Sequence, residues 1–341
     1  MSGKKKENGW VGESFTAPDG GNLLRKASCS NGRSDGPVEI YYENGQLEDK
    51  DSYSKEEFDG PYEIYRENGQ LESRGSYSNG ERAGPFEEYH ENGQLESRGS
   101  YSDGELDGPF RLYFENGQLR WKTFYLNGIQ HGRFRTYFEN GQLESRGSYS
   151  NGEPDGLWVG YHENGWLDRK TSYSQGERQG PSGVYHSNGQ LFEMISYSNG
   201  VEDGPFERYD WNGQLSQTGS QSDGELDGPF EEYQTDGQLG IKTSYSDGEL
   251  DGPFEEYHAN GQLWSKGFYS KGEYDGPVVF YYKNGQLLRR GSYSNGKRHG
   301  PFETYHENGL LQMKGSYSNG EPCGEWVFDG EAVIYPHCPN L

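Results

Sequence analysis

Hydrophobic and polar residues alternate along this chain in short stretches that glycine-containing segments separate. In Leu95–Ser102 the alternation places Ser97, Gly99 and Tyr101 on one side of an extended chain and the intervening residues on the other. A shorter stretch, Phe86–Glu91, precedes it. A period of two is typical of strands rather than helices, so the pattern predicts two strands joined by a turn.

This pattern recurs every 24 residues. One repeat is Pro85–Gly108, with the sequence PFEEYHENGQLESRGSYSDGELDG. Its Asn-Gly-Gln-Leu signature, or a close variant, begins at Asn44, Asn68, Asn92, Asn116, Asn140, Asn164, Asn188, Asn212, Asp236, Asn260, Asn284 and Asn308. Because no step contains an insertion or deletion, the chain is predicted to be one array of about thirteen repeats rather than several globular domains.

Two turns connect the strands of a repeat. Asn92-Gly93 is typical of a two-residue type I′ turn, in which both residues need positive φ. The second connection, Asp103–Pro109, is predicted to be longer. A two-residue turn also determines the register of the hairpin. The predicted cross-strand pairs are Glu91 with Gln94, Tyr89 with Glu96, Glu87 with Arg98, and Phe86 with Gly99.

The sequence therefore predicts an all-β fold. We expect an elongated, single-layer antiparallel β-hairpin repeat array of 24-residue units, about thirteen copies, in an open twisted sheet. Residues 1–12 are interpreted as an N-terminal lead-in, 13–324 as the array, and 325–341 as a C-terminal cap over the sheet edge. At ~4.8 Å per strand the array would span on the order of 125 Å. Columns of tyrosine, one through Tyr89 and one through Tyr101, are predicted to supply the core.

Composition adds an acidic surface to this picture. The 341 residues are 29% hydrophobic and carry a formal net charge of -24, but 15% aromatic content and turn residues in strict phase favour a thin ordered sheet over disorder. Acidic columns include Glu87, Glu88, Glu231 and Glu232. We interpret these columns either as a solvated face or as a negative surface for a basic protein partner. The acidic excess predicts no nucleic-acid partner and no adsorption to anionic membranes.

Two segments depart from the repeating pattern and are candidate partner-binding sites. The first carries a local excess of positive charge, from Arg111, Arg120, Lys122, Arg133 and Arg135. In the predicted register some of these cations face each other, which should repel mildly. The second segment carries Trp158, Trp166, Phe192 and Met194, and exposed aromatic and methionine residues suit protein interfaces. Drift in a redundant array is the alternative explanation for both.

Chemistry beyond binding finds little support. Repeated carboxylates have the same neighbours in every repeat, so none is distinguished as an acid or base. Histidines such as His90 recur in one phase, at least ~10 Å apart, which is too far for a shared metal. We expect no enzyme, no metal and no cofactor. No apolar run is long enough to span a membrane. Whether Cys323 and Cys338 pair is left open, and the cytoplasm is the default compartment.

The pattern G-P-F-x-x-Y-x-x-N-G-Q-L, followed by G-x-Y-x-x-G-x-x-x-G, resembles the MORN-variant repeat, and the YwqK-like antitoxin family in particular. The resemblance covers about residues 13–324. It is carried by Tyr89, Asn92, Gly93, Leu95, Tyr101, Gly104, Gly108 and their equivalents in each repeat. It implies an elongated array of antiparallel hairpins that binds partners. Some members of the family are described as antitoxins or immunity proteins, and MORN proteins in general are linked to membranes and to protein scaffolding.

Three functions follow as hypotheses. The first is a non-enzymatic protein-binding repeat scaffold, in its narrower form an antitoxin-like or immunity-like protein whose acidic face binds a basic toxin or effector. The second is a structural rod or spacer, made of this chain and other subunits of an assembly or by self-association. The third is carbohydrate or cell-wall binding through aromatic ladders. The first predicts a salt-sensitive complex, the second concentration-dependent assembly, and the third glycan binding that survives high salt.

Overall fold

The fold consists of strands throughout the part of the chain that a computed structural model describes, residues 9–16, 22–30 and 33–339. These residues contain no helix long and apolar enough to cross a membrane. They fall into two compact units. The first unit comprises residues 1–166 and 173–176, and the second comprises residues 167–172 and 177–341. Residues 1–8 of the predicted lead-in lie outside the described residues.

The first unit is built from short strands in chain order. They are β1 (Gly9–Thr16), β2 (Asn22–Ser30), β3 (Arg33–Tyr41), β4 (Leu47–Ser54), β5 (Glu57–Phe58), β6 (Gly60–Tyr65), β7 (Leu71–Ser78), β8 (Glu81–Arg82), β9 (Gly84–Tyr89), β10 (Leu95–Ser102), β11 (Glu105–Leu106), β12 (Gly108–Tyr113), β13 (Leu119–Leu126), β14 (Ile129–Gln130), β15 (Gly132–Tyr137), β16 (Leu143–Ser150), β17 (Glu153–Pro154) and β18 (Gly156–Tyr161). Strand β19 (Leu167–Ser174) contributes residues to both units.

The second unit continues the same series. Its strands are β20 (Glu177–Arg178), β21 (Gly180–Tyr185), β22 (Leu191–Ser198), β23 (Val201–Tyr209), β24 (Leu215–Ser222), β25 (Glu225–Leu226), β26 (Gly228–Tyr233), β27 (Leu239–Ser246), β28 (Glu249–Leu250), β29 (Gly252–Tyr257), β30 (Leu263–Ser270), β31 (Glu273–Tyr274), β32 (Gly276–Tyr281), β33 (Leu287–Ser294), β34 (Lys297–Tyr305), β35 (Leu311–Ser318), β36 (Glu321–Phe328) and β37 (Glu331–Ile334).

Each repeat is an antiparallel hairpin that also pairs with the next hairpin. Strand β9 pairs with β10, and β10 pairs in turn with β11 and β12. The predicted all-β class, the antiparallel pairing and the 24-residue hairpin repeat are confirmed. Because successive hairpins share ladders, a residue on one strand has a cross-strand neighbour both within its own repeat and in the adjacent one.

The tight turn of the repeat lies at Asp103-Gly104. Both residues have positive φ, 50° and 78°, and the flanking Ser102 pairs with Glu105. These are the dihedral signs of a two-residue type I′ turn. The longer connection predicted for Asp103–Pro109 is therefore wrong. After the turn at Asp103-Gly104, the backbone departs from a regular strand near Gly108, whose φ is 103°.

The turn at Asn92-Gly93 has a different geometry from the one predicted. Gly93 has a φ of 79°, but Asn92 is not among the residues with positive φ. The Gly93 amide donates to the His90 carbonyl (2.9 Å), and the His90 amide donates to the Gln94 carbonyl (2.8 Å). The Gln94 amide also donates to Asn92 Oδ1 at 2.9 Å. The loop is thus a three-residue turn with glycine in the left-handed position, and the type I′ prediction here is wrong.

The register of the hairpin is partly as predicted. Glu87 pairs with Arg98 and Phe86 pairs with Gly99, which confirms those two predictions. Tyr89, however, lies opposite Leu95 rather than Glu96, because the register shifts between Leu95 and Ser97. The extra residue forms a β-bulge beside the three-residue turn. The bulge moves the last pairs by one position and leaves the rest of the hairpin in register.

One face of each unit carries the core, and we call it the aromatic face. Its central phase holds Val38, Tyr62, Phe86, Phe110, Phe134 and Trp158 in the first unit, and Ser182, Phe206, Phe230, Phe254, Val278, Phe302 and Trp326 in the second. Phe86 is 4% exposed and its ring lies 4.8 Å from that of Tyr101. A Cβ on the facing Gly99 would lie 2.9 Å from Phe86 Cε1. Glycine therefore gives the ring room to lie on the strand.

Only one of the two tyrosine columns packs in this core. Tyr101 contacts Phe86, whereas Tyr89 donates its hydroxyl hydrogen to Glu87 Oε2 at 2.7 Å. Tyr89 and Glu87 are two residues apart on a strand and share the opposite face. The prediction that the Tyr89 column supplies the core is therefore wrong, because Tyr89 lies on the face opposite Phe86 and Tyr101.

The C-terminal segment forms two further strands and a disulfide. Strands β36 and β37 pair with each other, and Trp326 on β36 is 1% exposed. Cys323 and Cys338 are bonded, which settles the pairing that the sequence left open. The Gly324 amide donates to the Pro336 carbonyl at 2.8 Å. The disulfide and this hydrogen bond hold the segment after β37 against β36.

Candidate cationic protein-binding site

The face opposite the aromatic one carries most of the charge, and we call it the charged face. In the first unit Glu63, Arg74, Glu87 and Arg98 lie directly opposite one another on successive strands. Arg74 Nη2 lies 2.5 Å from Glu87 Oε2. The hydrogen bond from Tyr89 and the adjacent Arg74 hold the pKa of Glu87 below its ordinary value. Opposite charges thus alternate from strand to strand and stabilise the ladder.

The second unit repeats this alternation at residues 231–266 and 290–314, although Gly183, Thr218 and Val279 of the same phase are uncharged. Lys242 Nζ lies 2.9 Å from Glu231 Oε1. Glu303 lies between Arg290 Nε at 2.5 Å and Lys314 Nζ at 3.2 Å. Burial by itself raises the pKa of Glu303, but hydrogen bonds from Tyr305 and the two cations outweigh it and lower the pKa to about 2. Glutamates of this phase are therefore engaged within the sheet.

The alternation stops in the middle of the first unit. Five cations lie directly opposite one another on consecutive ladders, Arg98 to Arg111, Arg111 to Lys122, Lys122 to Arg135, and Arg135 to Arg146. We call Arg98, Arg111, Lys122, Arg135 and Arg146 the cationic row. Arg111, Arg135 and Arg146 are exposed. Arg111 and Arg135 occupy the phase that Glu87 occupies elsewhere, so two repeats have exchanged an acid for a base.

The side chains around the row adjust to the missing glutamates. Arg98 lies over the ring of Tyr113 at 5.9 Å, and Lys122 Nζ lies over the ring of Tyr137 at 6.0 Å. Tyr113 and Tyr137 have the phase of Tyr89 but have no carboxylate two residues earlier. Within residues 33–339, no ion pair joins a cation of the row other than Arg98 to a carboxylate. Their charge is therefore available to a ligand.

The two remaining predicted cations lie beside the row. Arg133 lies opposite Ser148 and is exposed. Arg120 lies over the ring of Phe114 at 5.5 Å, near the bulge of its hairpin. All five basic residues selected from the sequence thus lie in one region. Sequence reasoning missed Arg98 and Arg146, since only the pairing between neighbouring hairpins shows that they complete the row.

An apolar groove adjoins the cationic row on the charged face. Its volume is about 540 Å³, and it is lined by the rings of Pro61, Pro85 and Pro109. The charged residues of its lining are Glu63, Arg74, Glu87, Arg98 and Arg111, so the positive charge is concentrated at the end next to the row. Phe124 lies opposite Pro109 and is 40% exposed, although the equivalent position in neighbouring repeats is serine. The sequence analysis missed Phe124 as well. A ligand here would meet both positive charge and apolar surface.

The other predicted site residues lie elsewhere. Trp158 packs in the core of the first unit, with its ring 4.4 Å from that of Phe134. Trp166 lies at a turn and is 56% exposed. Glu88 accepts a hydrogen bond from Ser97 Oγ at 2.7 Å, and Glu232 is 3.5 Å from Gln217 Nε2. With Glu87 and Glu231 already ion-paired, these glutamates do not form a free acidic column.

The recurrent histidines and asparagines have structural roles. His90 Nε2 lies 3.0 Å from the Tyr113 carbonyl, and His258 Nε2 is equally close to the Tyr281 carbonyl. Asn92 Nδ2 donates to the Glu115 carbonyl at 2.7 Å. Each contact joins one hairpin turn to the next repeat. Among the described residues, no group of three or more His, Cys, Asp or Glu side chains could hold a metal ion.

Comparison with known proteins identifies the repeat. The MORN repeat variant family matches nine segments, residues 34–55, 58–79, 82–103, 106–127, 130–151, 154–175, 250–271, 274–295 and 298–319, which together make up more than half of the chain. No curated protein matches the sequence. A solved structure of TcdB2-TccC3 without its hypervariable C-terminal region is 12% identical, with a TM-score of 0.14. The match covers 96% of this chain and 24% of that one, and at this TM-score it carries no argument.

Proposed function

We propose that this chain, which belongs to the MORN repeat variant family, is a non-enzymatic protein-binding scaffold whose binding surface includes the cationic row. The observation that carries the proposal is the row itself. At residues 63–98, 231–266 and 290–314 opposite charges alternate on the charged face, but the cationic row places like charges directly opposite one another on five successive strands. Natural proteins commonly lose stability where a surface is used for function.

The surface also has the mixture of groups that protein interfaces use. Arginine and aromatic side chains are enriched at the centres of interfaces, and here exposed arginines adjoin Phe124 and the proline-lined groove. The groove lies on a regular sheet rather than on a mobile loop, so its side chains are held in place before a partner arrives. Little binding energy would then be spent on ordering the site.

A site-specific cross-linker tests this proposal in the source cells. A photoreactive phenylalanine analogue replaces Phe124 in one variant. In a control variant it replaces Phe268, which lies opposite Pro253 at the equivalent position of the second unit and is 50% exposed. We expect a discrete cross-linked protein from position 124 that position 268 does not give. The product should disappear when Arg111→Glu and Arg135→Glu are added. Equal products from both positions, or products insensitive to these substitutions, contradict the proposal.

The narrower hypothesis of an antitoxin or immunity protein that binds a basic toxin or effector is a second candidate. It is supported by successive tight turns of the second unit, where Asp223, Glu225, Asp247 and Glu249 are all exposed. Neutralising these four side chains with Asn and Gln should weaken capture of a basic protein and reduce its salt dependence. The cationic row would then be dispensable, and Arg111→Glu would leave capture unchanged.

The structural-rod hypothesis has support at the C-terminal edge. Strand β37 is a short terminal strand, and Val333 and Ile334 on it are 43% and 76% exposed. Exposed apolar edge strands favour association between chains. Sedimentation at increasing concentration tests this alternative, with Ile334→Lys as the variant that should keep the chain monomeric. Growth that persists in that variant excludes this edge as the contact.

The disulfide bears on the compartment. A bond between Cys323 and Cys338 forms and persists in oxidising surroundings, whereas cytoplasmic thiols are kept reduced. We infer an oxidising compartment rather than the cytoplasm that the low cysteine count favours. Alkylation of a cell extract before and after reduction tests this inference. Alkylation of both Cys323 and Cys338 without prior reduction would instead indicate a reducing compartment.

A further inference from the structure

We propose that the cationic row binds a helical segment of a partner protein through a line of carboxylates on that helix. This inference rests on the proposed function, because it names the partner chemistry of the same site. The row presents one positive charge per strand at directly opposed positions of five strands. A ligand that matches it must present several negative charges at a similar spacing.

The spacing of the row favours a helix over an extended peptide. Neighbouring strands lie ~4.8 Å apart, so five cations span about 19 Å. Carboxylates that recur once per helical turn are ~5.4 Å apart, and five of them span about 22 Å. On an extended strand, same-face residues are ~6.7 Å apart and five of them span about 27 Å. The helical spacing is therefore closer to that of the row than the extended spacing is, and flexible arginine and lysine side chains have a smaller mismatch to absorb.

The surroundings of the row limit how far an anionic ligand can extend. Before Arg98 the row continues into Glu87, and after Arg146 it continues into Val159, which is 6% exposed. Glu115 and Glu139 are exposed at the turns of the same hairpins. A nucleic acid or an anionic membrane that extended past the row would meet the acidic remainder of a chain with a net charge of -24. A short acidic helix would meet only the cations.

The apolar surface beside the row indicates that the helix is amphipathic. Phe124 and Pro109 lie opposite each other, next to the Arg111–Lys122 pair on the same face. A helix whose carboxylates contact the row would place its neighbouring face against these two rings. Apolar residues on that face would bury Phe124, which is 40% exposed in the isolated chain. The ligand is therefore an acidic helix with an adjacent apolar stripe.

Binding of a defined peptide tests the proposal on the full chain. The probe is a fluorescein-labelled peptide of about 20 residues, helical and alanine-rich, with one glutamate per turn on one face and leucines beside it. A control peptide has the same composition with the glutamates spread around the helix. Fluorescence anisotropy gives Kd for each peptide. We expect the one-sided peptide to bind about tenfold or more tightly than the control peptide, with an affinity that falls as salt is added.

Matched variants separate the row from net charge. Arg111→Glu with Arg135→Glu gives both positions the glutamate that Glu87 and Glu231 provide in other repeats. Lys271→Asp with Lys283→Glu makes the same change in net charge in the second unit, at exposed turn positions where other repeats carry Asp and Glu. We expect the first pair to weaken peptide binding about tenfold or more and the second pair to leave it within about twofold. Equal losses from both pairs would overturn the proposal.

Other outcomes distinguish a failure of the acidic-helix proposal from a failure of the proposed scaffold function. Tighter binding of single-stranded DNA or of phosphatidylserine vesicles than of the peptide, lost in Arg111→Glu with Arg135→Glu, would show a row that recognises another polyanion and would overturn the acidic helix. No binding of the one-sided peptide, with the cross-link from position 124 retained, would sink the partner chemistry but leave the scaffold function standing. Binding of the one-sided peptide without any cross-linked protein in cells would support the chemistry of the row but contradict the scaffold function.

Discussion

Returning one position of the cationic row to the residue of the other repeats should stabilise the sheet. Arg135 lies between Lys122 and Arg146, so its guanidinium faces like charge on both sides. In Arg135→Glu the new carboxylate gains two oppositely charged neighbours, each contributing ~0.2–1 kcal/mol. The hydroxyl of Tyr137 gains an acceptor two residues away, as Tyr89 has in Glu87 at 2.7 Å. That hydrogen bond adds ~0.5–1.5 kcal/mol, for a total of about 1–3.5 kcal/mol.

Hydrogen exchange followed by mass spectrometry measures this effect where it arises. In Arg135→Glu, backbone amides of β13, β15 and β16 should exchange more slowly, while those of β29 and β30 in the second unit should not change. The gain should shrink as salt is added, because the side chains involved are exposed. Local exchange is preferable to a single melting temperature, since repeat arrays need not unfold in one step.

The inverse substitution provides the control. Glu255 lies between Lys242 and Lys266 and accepts a hydrogen bond from Tyr257 at 2.6 Å. Glu255→Arg should therefore speed exchange in β27, β29 and β30. If Arg135→Glu leaves exchange unchanged or speeds it, the row does not cost stability, and the argument that it is retained for function fails.

Three further predictions concern the core, the pH response and the cap. Gly147→Ala should destabilise its hairpins by ~1–3 kcal/mol, measured by exchange, because a Cβ there would lie 2.7 Å from Phe134 Cε1. Burial raises the pKa of Asp49 to about 7, and its neighbour Asp51 is shifted in the same direction, so this pair loses stability as pH rises from about 4 towards 7. Asp51→Thr should accordingly be more stable than the parent in urea at pH 8, by a margin that shrinks at pH 5. Cys323→Ser should lower the stability of the C-terminal strands by about 3 kcal/mol, seen as faster exchange in β36 and β37, and no change would contradict a formed disulfide.

Much of the fold could be predicted from local sequence. The period-of-two alternation and the 24-residue spacing predicted strands, hairpins and an all-β class, and the structure confirms them. The pairing of Phe86 with Gly99 was also predictable, because a large ring opposite a bare glycine is a local pattern. Each of these features depends on residues that are close in sequence or related by the repeat.

The geometry of the turns could not be predicted from local sequence in the same way. Asn92-Gly93 and Asp103-Gly104 both have sequences that suit a type I′ turn, but only the second has that geometry. The first has a hydrogen bond from the Gln94 amide to Asn92 Oδ1, and the turns at Asn68 and Asp236 repeat this bond together with the same backbone geometry. The resulting bulge decides the last pairs of the hairpin. The preference of Asn-Gly for type I′ turns does not show which of the two geometries is adopted.

The candidate site, like the turns, could be predicted only in part from the sequence. The sequence by itself determined that Arg111 and Arg135 replace glutamates, since that substitution is visible within the repeat. Only the tertiary structure decided that Arg98 and Arg146 continue the line and that Phe124 lies beside it, because these relations depend on the register between neighbouring hairpins. Alternation along a strand is a property of the local backbone. The alignment of charges across strands is set by hydrogen bonds between segments that are distant in sequence.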